Sequence, residues 1–359
     1  MEKPKFNLVK SLMAKSSYIV AFVLFILLIT PSNAFAHGIG GATSSDSNAR
    51  VIKIVPNNKE FSARTVENGQ RLEITRKSKN DLFVLGVDGE QYLKFSEEGV
   101  FQNEKSATAV INKSTNNSSN STNYGDEFKK TSSDPDAKPV WKKVSSQQSY
   151  IFHDHRAHYM GNTPDRAGNL GSNIVPIRIG TRDYDIEVSY FTKNSPNAFV
   201  WFGLLFFSAL LIILLLVKTK LLQIISSKKY LFALLSVLFI LELIHVIGYI
   251  KFVHINFLSS LSQSLYGLIL LVLIIFSATK ILATNSSEFI YKSAPWLCIV
   301  GLFGLIVDTL GEYQFFTARY LPTVFPTFYS RVSLILIGLI STTVLYIGIK
   351  NIKDKQEQI

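Results

Sequence analysis

The chain has 359 residues, 47% of them hydrophobic, with a formal charge of +11 and one cysteine, Cys298. A single cysteine excludes, within one chain, a disulfide framework, a cysteine zinc site, an iron–sulfur cluster and a C-x-x-C-H haem attachment. The charge does not indicate nucleic acid: four leader lysines less Glu2 contribute +3, many others flank apolar runs, and no basic stripe is interleaved with aromatics.

In chain order, residues 1–18 form a basic segment and 19–30 a short apolar one, followed by Ala34-Phe35-Ala36, the small-x-small pattern of a signal-peptidase site. The apolar run is shorter than the roughly 20 residues of a comfortable span. Cleavage after Ala36 would make His37 the mature N-terminus. Its α-amine, with a pKa of about 8, and its imidazole could then chelate one ion, and neutral nitrogen donors in a tetragonal array suit Cu(II).

Residues 37–197 are polar and read as an extracytoplasmic all-β sandwich, Ig-like or cupredoxin-like. Short β-prone runs are expected at 51–55, 71–75, 82–85, 92–95 and 109–111, with turns at Gly69, Gly86, Asp88-Gly89 and Gly99. A hairpin is expected from 174–179 and 184–190 across Gly180-Thr181-Arg182-Asp183, and no amphipathic helix is expected. Residues 112–138, rich in Asn, Ser and Thr, read as a disordered insertion.

Three of the six histidines lie in His153-Asp154-His155-Arg156-Ala157-His158. On a strand, 153 and 155 would point to one face, so His153, His155 and His158, with His37, are the candidate metal ligands. Asp154 and Arg156 would face the other way as supporting groups, and Met160 is a candidate axial ligand. The bland reading is a polar structural loop whose imidazoles bond to backbone and to Arg156. Copper is preferred to zinc because of His37, although three histidines with an open position also suit zinc. After the leader, Met160 is the only methionine and Cys298 the only cysteine, which excludes a sulfur-rich Cu(I) shuttle.

Five apolar runs follow at 198–217, 230–250, 257–278, 296–313 and 332–349, an all-α transmembrane bundle with residues 351–359 as its tail. Lys218, Lys220, Lys228 and Lys229, then Lys280 and Lys292, then Lys350, Lys353 and Lys355 fall on one side. The positive-inside rule puts these in the cytoplasm and the β-domain outside a cell membrane. Glu242 and His245, three apart in the second run, share a helix face, and Asp308 and Glu312 stand four apart in the fourth. With His254 in an outer loop they form a candidate intramembrane polar path, or else they are satisfied hydrogen-bond pairs and groups reaching interfacial water. One E-x-x-H without a second copy and two further carboxylates excludes a di-iron bundle.

The runs Val84-Leu85-Gly86-Val87-Asp88-Gly89-Glu90, Tyr92-Leu93-Lys94, Gly99-Val100 and Trp141-Lys142-Lys143-Val144-Ser145 resemble a largely uncharacterised family of exported bacterial membrane proteins, many actinobacterial. The strongest likeness is His153-Asp154-His155-Arg156 followed by His158-Tyr159-Met160-Gly161, where Tyr159 stands in place of the family's usual Trp. That resemblance implies architecture and no activity. The site alone is similar to histidine-brace copper proteins, namely CopC-type proteins and the soluble regions of particulate methane monooxygenase. This implies ligand roles for His37, His153 and His155 only.

The expected function is therefore a membrane-anchored extracytoplasmic copper-binding protein for capture, delivery or sensing. Its expected partners are membrane lipid and other envelope or copper-handling proteins. The rivals are a metal-free structural or partner-binding envelope protein and a copper-dependent redox enzyme. No Ser-His-Asp set, P-loop or glycine-rich nucleotide fingerprint favours an enzyme.

Overall fold

A computed structural model describes residues 43–114, 137–254, 260–261, 264–284 and 289–357. His37, the leader and most of the expected insertion lie outside the described residues.

The N-terminal region is two antiparallel sheets. Its strands are β1 (Asn48–Val55), β2 (Phe61–Val66), β3 (Arg71–Arg76), β4 (Leu82–Leu85), β5 (Gln91–Ser96), β6 (Gly99–Asn103), β7 (Trp141–Ser145), β8 (Ser149–Phe152), β9 (Gly168–Ile179) and β10 (Arg182–Thr192). Seven strands form one sheet in the order β1-β10-β9-β4-β5-β6-β7, and β2-β3-β8 form the other. Burial alternates where one face meets the core: Val175, Ile177 and Ile179 on β9, Tyr184, Ile186 and Val188 on β10, and Leu72 and Ile74 on β3 are all buried. Edge-to-face pairs join the sheets, Phe61 with Tyr184 and Tyr92 with Phe152, their ring centroids 5.6 and 6.0 Å apart.

Two local expectations are corrected. The β9–β10 turn is tighter than a four-residue loop: Ile179 pairs with Arg182 and only Gly180-Thr181 connect them, with Gly180 at φ 57°. Residues 109–111 are helical, within α1 (Ala107–Ser114). Ser106 caps this helix, its Oγ accepting from the Ala109 N–H. The buried Glu90 carboxylate accepts from the Ser106 hydroxyl and from both the N–H and hydroxyl of Thr108. Three donors on one carboxylate outweigh the β propensity of Val110-Ile111.

Among the described residues, five helices are long and apolar enough to cross a membrane, which makes this a membrane protein. They are α2 (Ala198–Lys218), α3 (Lys228–Phe252), α4 (Leu265–Ala283), α5 (Phe289–Leu302, continuing as a π-helical stretch Phe303–Leu310) and α6 (Thr327–Glu357). The fourth span begins at Phe289, before its expected start at 296, and Pro295 lies inside α5. Helices α5 and α6 meet almost backbone to backbone. A Cβ on Gly301 would lie 2.5 Å from Leu345 N, and one on Gly348 would lie 2.9 Å from Ala294 O. By contrast α2 is mostly exposed, with Phe199, Phe206 and Phe207 turned outward.

The two regions touch through polar contacts. Ser45 and Tyr320 exchange backbone hydrogen bonds, Asn68 Nδ2 donates to Leu321 O, and the His254 N–H donates to Glu67 Oε1. Arg319, only 4% exposed, inserts between the regions. Its Nε donates to Ser195 Oγ, its Nη1 to Thr192 Oγ1 and its Nη2 to the Pro164 carbonyl.

Candidate functional site

Strand β8 ends at Phe152, whose ring is buried in the core, and the histidine segment starts at the next residue. The segment leaves the sheet there. Asp154 is extended and caps a single 3-10 turn, His155–Ala157, accepting the Arg156 N–H on Oδ1 and the Ala157 N–H on its carbonyl. The expectation that 153 and 155 lie two apart on a strand is corrected. An aspartate two residues before a backbone N–H closes a turn more readily than it extends a ladder.

Asp154 and Arg156 also pair with each other. Arg156 Nε donates to Oδ1 at 3.0 Å and Nη2 to Oδ2 at 2.8 Å, while Nη1 donates to the Leu85 carbonyl. The Tyr190 hydroxyl donates to the Arg156 carbonyl at 2.7 Å. Burial alone would raise the Asp154 carboxyl, but the Arg156 charge and hydrogen bonds hold it below the ordinary aspartate range. This ion pair anchors the turn to β4 and β10.

The turn gathers the three imidazoles. Ring centroids lie 5.1 Å apart for His153 and His155, 4.6 Å for His153 and His158, and 5.5 Å for His155 and His158. His153 Nδ1 is 3.1 Å from the Gln70 carbonyl, and His158 Nδ1 is 3.1 Å from the Asp154 carbonyl. A carbonyl can only accept, so each Nδ1 carries the proton and each Nε2 keeps its lone pair. Burial, then the neighbouring imidazoles, push His153 down to about 4 and His158 to about 3, so both rings are neutral at pH 7. Met160 is 37% exposed on the outer side of the loop.

Beneath the cluster is the turn Glu67–Gly69, where three consecutive residues have positive φ: 56°, 56° and 81°. For Glu and Asn this left-handed backbone costs roughly 1–2 kcal/mol per residue. Contacts on every side retain it. Buried Glu67 accepts from Arg71 Nε and from the His254 N–H, Asn68 reaches Leu321, and the Gln70 side-chain amide donates to the Thr43 carbonyl. The turn thus joins the histidine cluster to the loops of the helical region. Gly69 is required twice, because a Cβ there would meet Ala49 N at 2.2 Å on a backbone at φ +81°. Gly69→Ala is expected to lower the urea midpoint of the full-length protein by the equivalent of more than about 1 kcal/mol. An unchanged midpoint would mean that the turn relaxes without cost.

In the helical region, four of the five expected path residues converge. His245 Nε2 is 3.0 Å from Glu312 Oε2, and the Glu242 and Asp308 side chains meet each other. His254 does not join them. Its N–H goes to Glu67 and its Nδ1 to the Phe252 carbonyl.

Among the described residues, no three His, Cys, Asp or Glu side chains present their ligating atoms in the arrangement a bound metal ion requires. The comparisons with protein families, curated proteins and solved structures found no match. Sequence reasoning missed Gln70, Glu67, Tyr190 and Arg319, which hold or seat the site. Arg319, a lone arginine between Phe315-Phe316 and Leu321, carried a usable signal, since a guanidinium in apolar surroundings needs acceptors.

Proposed function

We propose that this is a membrane-anchored protein that captures copper outside the membrane, on a sandwich of Ig-like or cupredoxin-like type. The observation that carries this reading is the gathering of three imidazoles, two of them with Nδ1 committed to a backbone carbonyl. Metal-ligating histidines usually have the second ring nitrogen held in this way, which fixes the ring and directs the free lone pair. Imidazoles bound to one ion through nitrogen at about 2.0–2.1 Å place their ring centres roughly 4.5–5.5 Å apart. The spacings here are already in that range, so closure on an ion needs ring rotation and little backbone movement.

His37 is the fourth partner in this proposal, as the amine terminus left by cleavage after Ala36. Thr43 sits on Gln70, the residue whose carbonyl holds His153. Thr43 stands six positions after His37, and a chain of that length spans roughly 20 Å when extended. The amine and ring of His37 are therefore within reach of the cluster. Bound copper would bring Lewis acidity and a Cu(II)/Cu(I) couple. The chain's own part is to hold three imidazoles together, His153 and His158 neutral, beside a buried ion pair. In this reading the β-domain faces outward and the lysine-rich loops lie in the cytoplasm.

A metal-free structural role is the second reading, favoured by the absence, among the described residues, of a group arranged for a metal ion. The test is a Cu(II) titration of the full-length protein with a native His37 terminus, followed by electron paramagnetic resonance. The expected result is a one-to-one tetragonal nitrogen spectrum, lost in His153→Ala and in a variant with one residue added before His37. Stoichiometric binding of Zn(II) but not Cu(II) would replace copper with zinc. No stoichiometric metal would leave the structural reading.

A further inference from the structure

The membrane-spanning region carries a second polar centre that copper capture does not use. Glu242 is 0% and Asp308 1% exposed. Neither Glu242 oxygen has a hydrogen-bond donor in reach, nor does Asp308 Oδ2. What Glu242 touches is the other carboxyl, itself an acceptor. Two carboxylates cannot bond to one another, and their contact becomes a hydrogen bond only with a proton between them.

Space is reserved for this contact. Gly267 on α4 faces Glu242, and a Cβ there would lie 2.3 Å from Oε1. Asp308 lies on the π-helical stretch Phe303–Leu310, a rare backbone irregularity that is frequent at functional sites. A graded series leads inward: the Glu312 side chain is 25% exposed, His245 bonded to it is 5% exposed, and Glu242 follows one turn along α3. The ionisable groups acting on the pair are His245 and Glu312, with Tyr249 beside them. Helix α4 brings Gly267 and α6 brings Gly338 and Ser341 to the same segment, none of them ionisable.

We propose that the Glu242–Asp308 carboxyl pair is an exchangeable proton site of the membrane domain, filled from the β-domain end through Glu312 and His245. A proton taken up on the Glu312 carboxylate passes to His245 and comes to rest between the two buried carboxyls. One proton moves and no electron does.

The test is infrared difference spectroscopy of the full-length protein in phospholipid vesicles. At neutral pH a protonated-carboxyl C=O band is expected that shifts in D2O and is absent from Glu242→Gln and from Asp308→Asn. His245→Gln should keep the band and slow its deuterium exchange at least tenfold. The band is first read in the unsubstituted protein, so the result does not depend on the variants folding. A spectrum without any such band would overturn the proposal, as would a band that survives both substitutions. Loss of the band on adding Na+ at constant pH would assign the site to a cation instead.

Discussion

Asp154→Ala is expected to destabilise the β-domain by about 3–5 kcal/mol, the usual consequence of removing one partner from a buried ion pair. The Asp154 side chain is 1% and the Arg156 side chain 9% exposed. The substitution leaves a buried guanidinium with only the Leu85 carbonyl, and it removes the acceptor that caps the histidine turn. Urea unfolding of the full-length protein, followed through tryptophan fluorescence, measures the loss. The exposed pair Arg178–Asp183 is the control, and Asp183→Ala should change little, since solvent screens an exposed pair. Equal effects at the two pairs would show that the buried one does not hold the turn.

The same ion pair sets a pH dependence. Asp154 titrates below its ordinary value in the folded chain. Its contribution is therefore fully present above the unfolded aspartate pKa and is lost as pH falls through the folded one. The urea midpoint should fall on acidification, and the Asp154→Ala variant should lack that part of the fall.

Arg319→Ala is expected to weaken the seating of the β-domain on the helical region by about 2–4 kcal/mol, since hydrogen bonds from a buried charged group are worth more than neutral ones. Three acceptors lose their donor together: Ser195 Oγ, Thr192 Oγ1 and the Pro164 carbonyl. Arg319→Lys should not restore them, because one ammonium cannot reproduce the planar fork. The measurement is amide hydrogen exchange of the full-length protein in detergent. Faster exchange is expected at Tyr320 and Ser45, whose N–H groups bond to each other's carbonyls, with the sheet core unchanged. Unaltered exchange at both positions would mean that the Glu67 and Asn68 contacts hold the regions together without Arg319.

Much of the architecture is legible in residue order because it depends on local chemistry. Alternating burial marks β9 and β10, and apolar runs mark the five spans, since length and hydropathy alone decide whether a helix can cross a bilayer. Helix α1 does not show in residue order because Val110-Ile111 favour a strand. Its deciding partner, the Glu90 carboxylate, comes from β5's leading turn and reaches it only in the folded chain.

The candidate sites divide in the same way. Residue order by itself determined that three histidines stand within six residues and that Glu242 and His245 share a helix face, because spacing fixes which side chains are neighbours on one element; Glu312 instead lies in the turn that follows the π-helical stretch carrying Asp308. Tertiary structure alone decided that Arg156 reaches the Leu85 carbonyl, that the Gln70 carbonyl holds His153, and that Glu242 meets Asp308 while His245 meets Glu312. It also left His254 outside the membrane group and set Arg319 between the regions. Each of these depends on acceptors and charges supplied by distant segments. A buried polar group takes whichever partner the completed fold brings within about 3 Å, and that choice is not written in the neighbouring sequence.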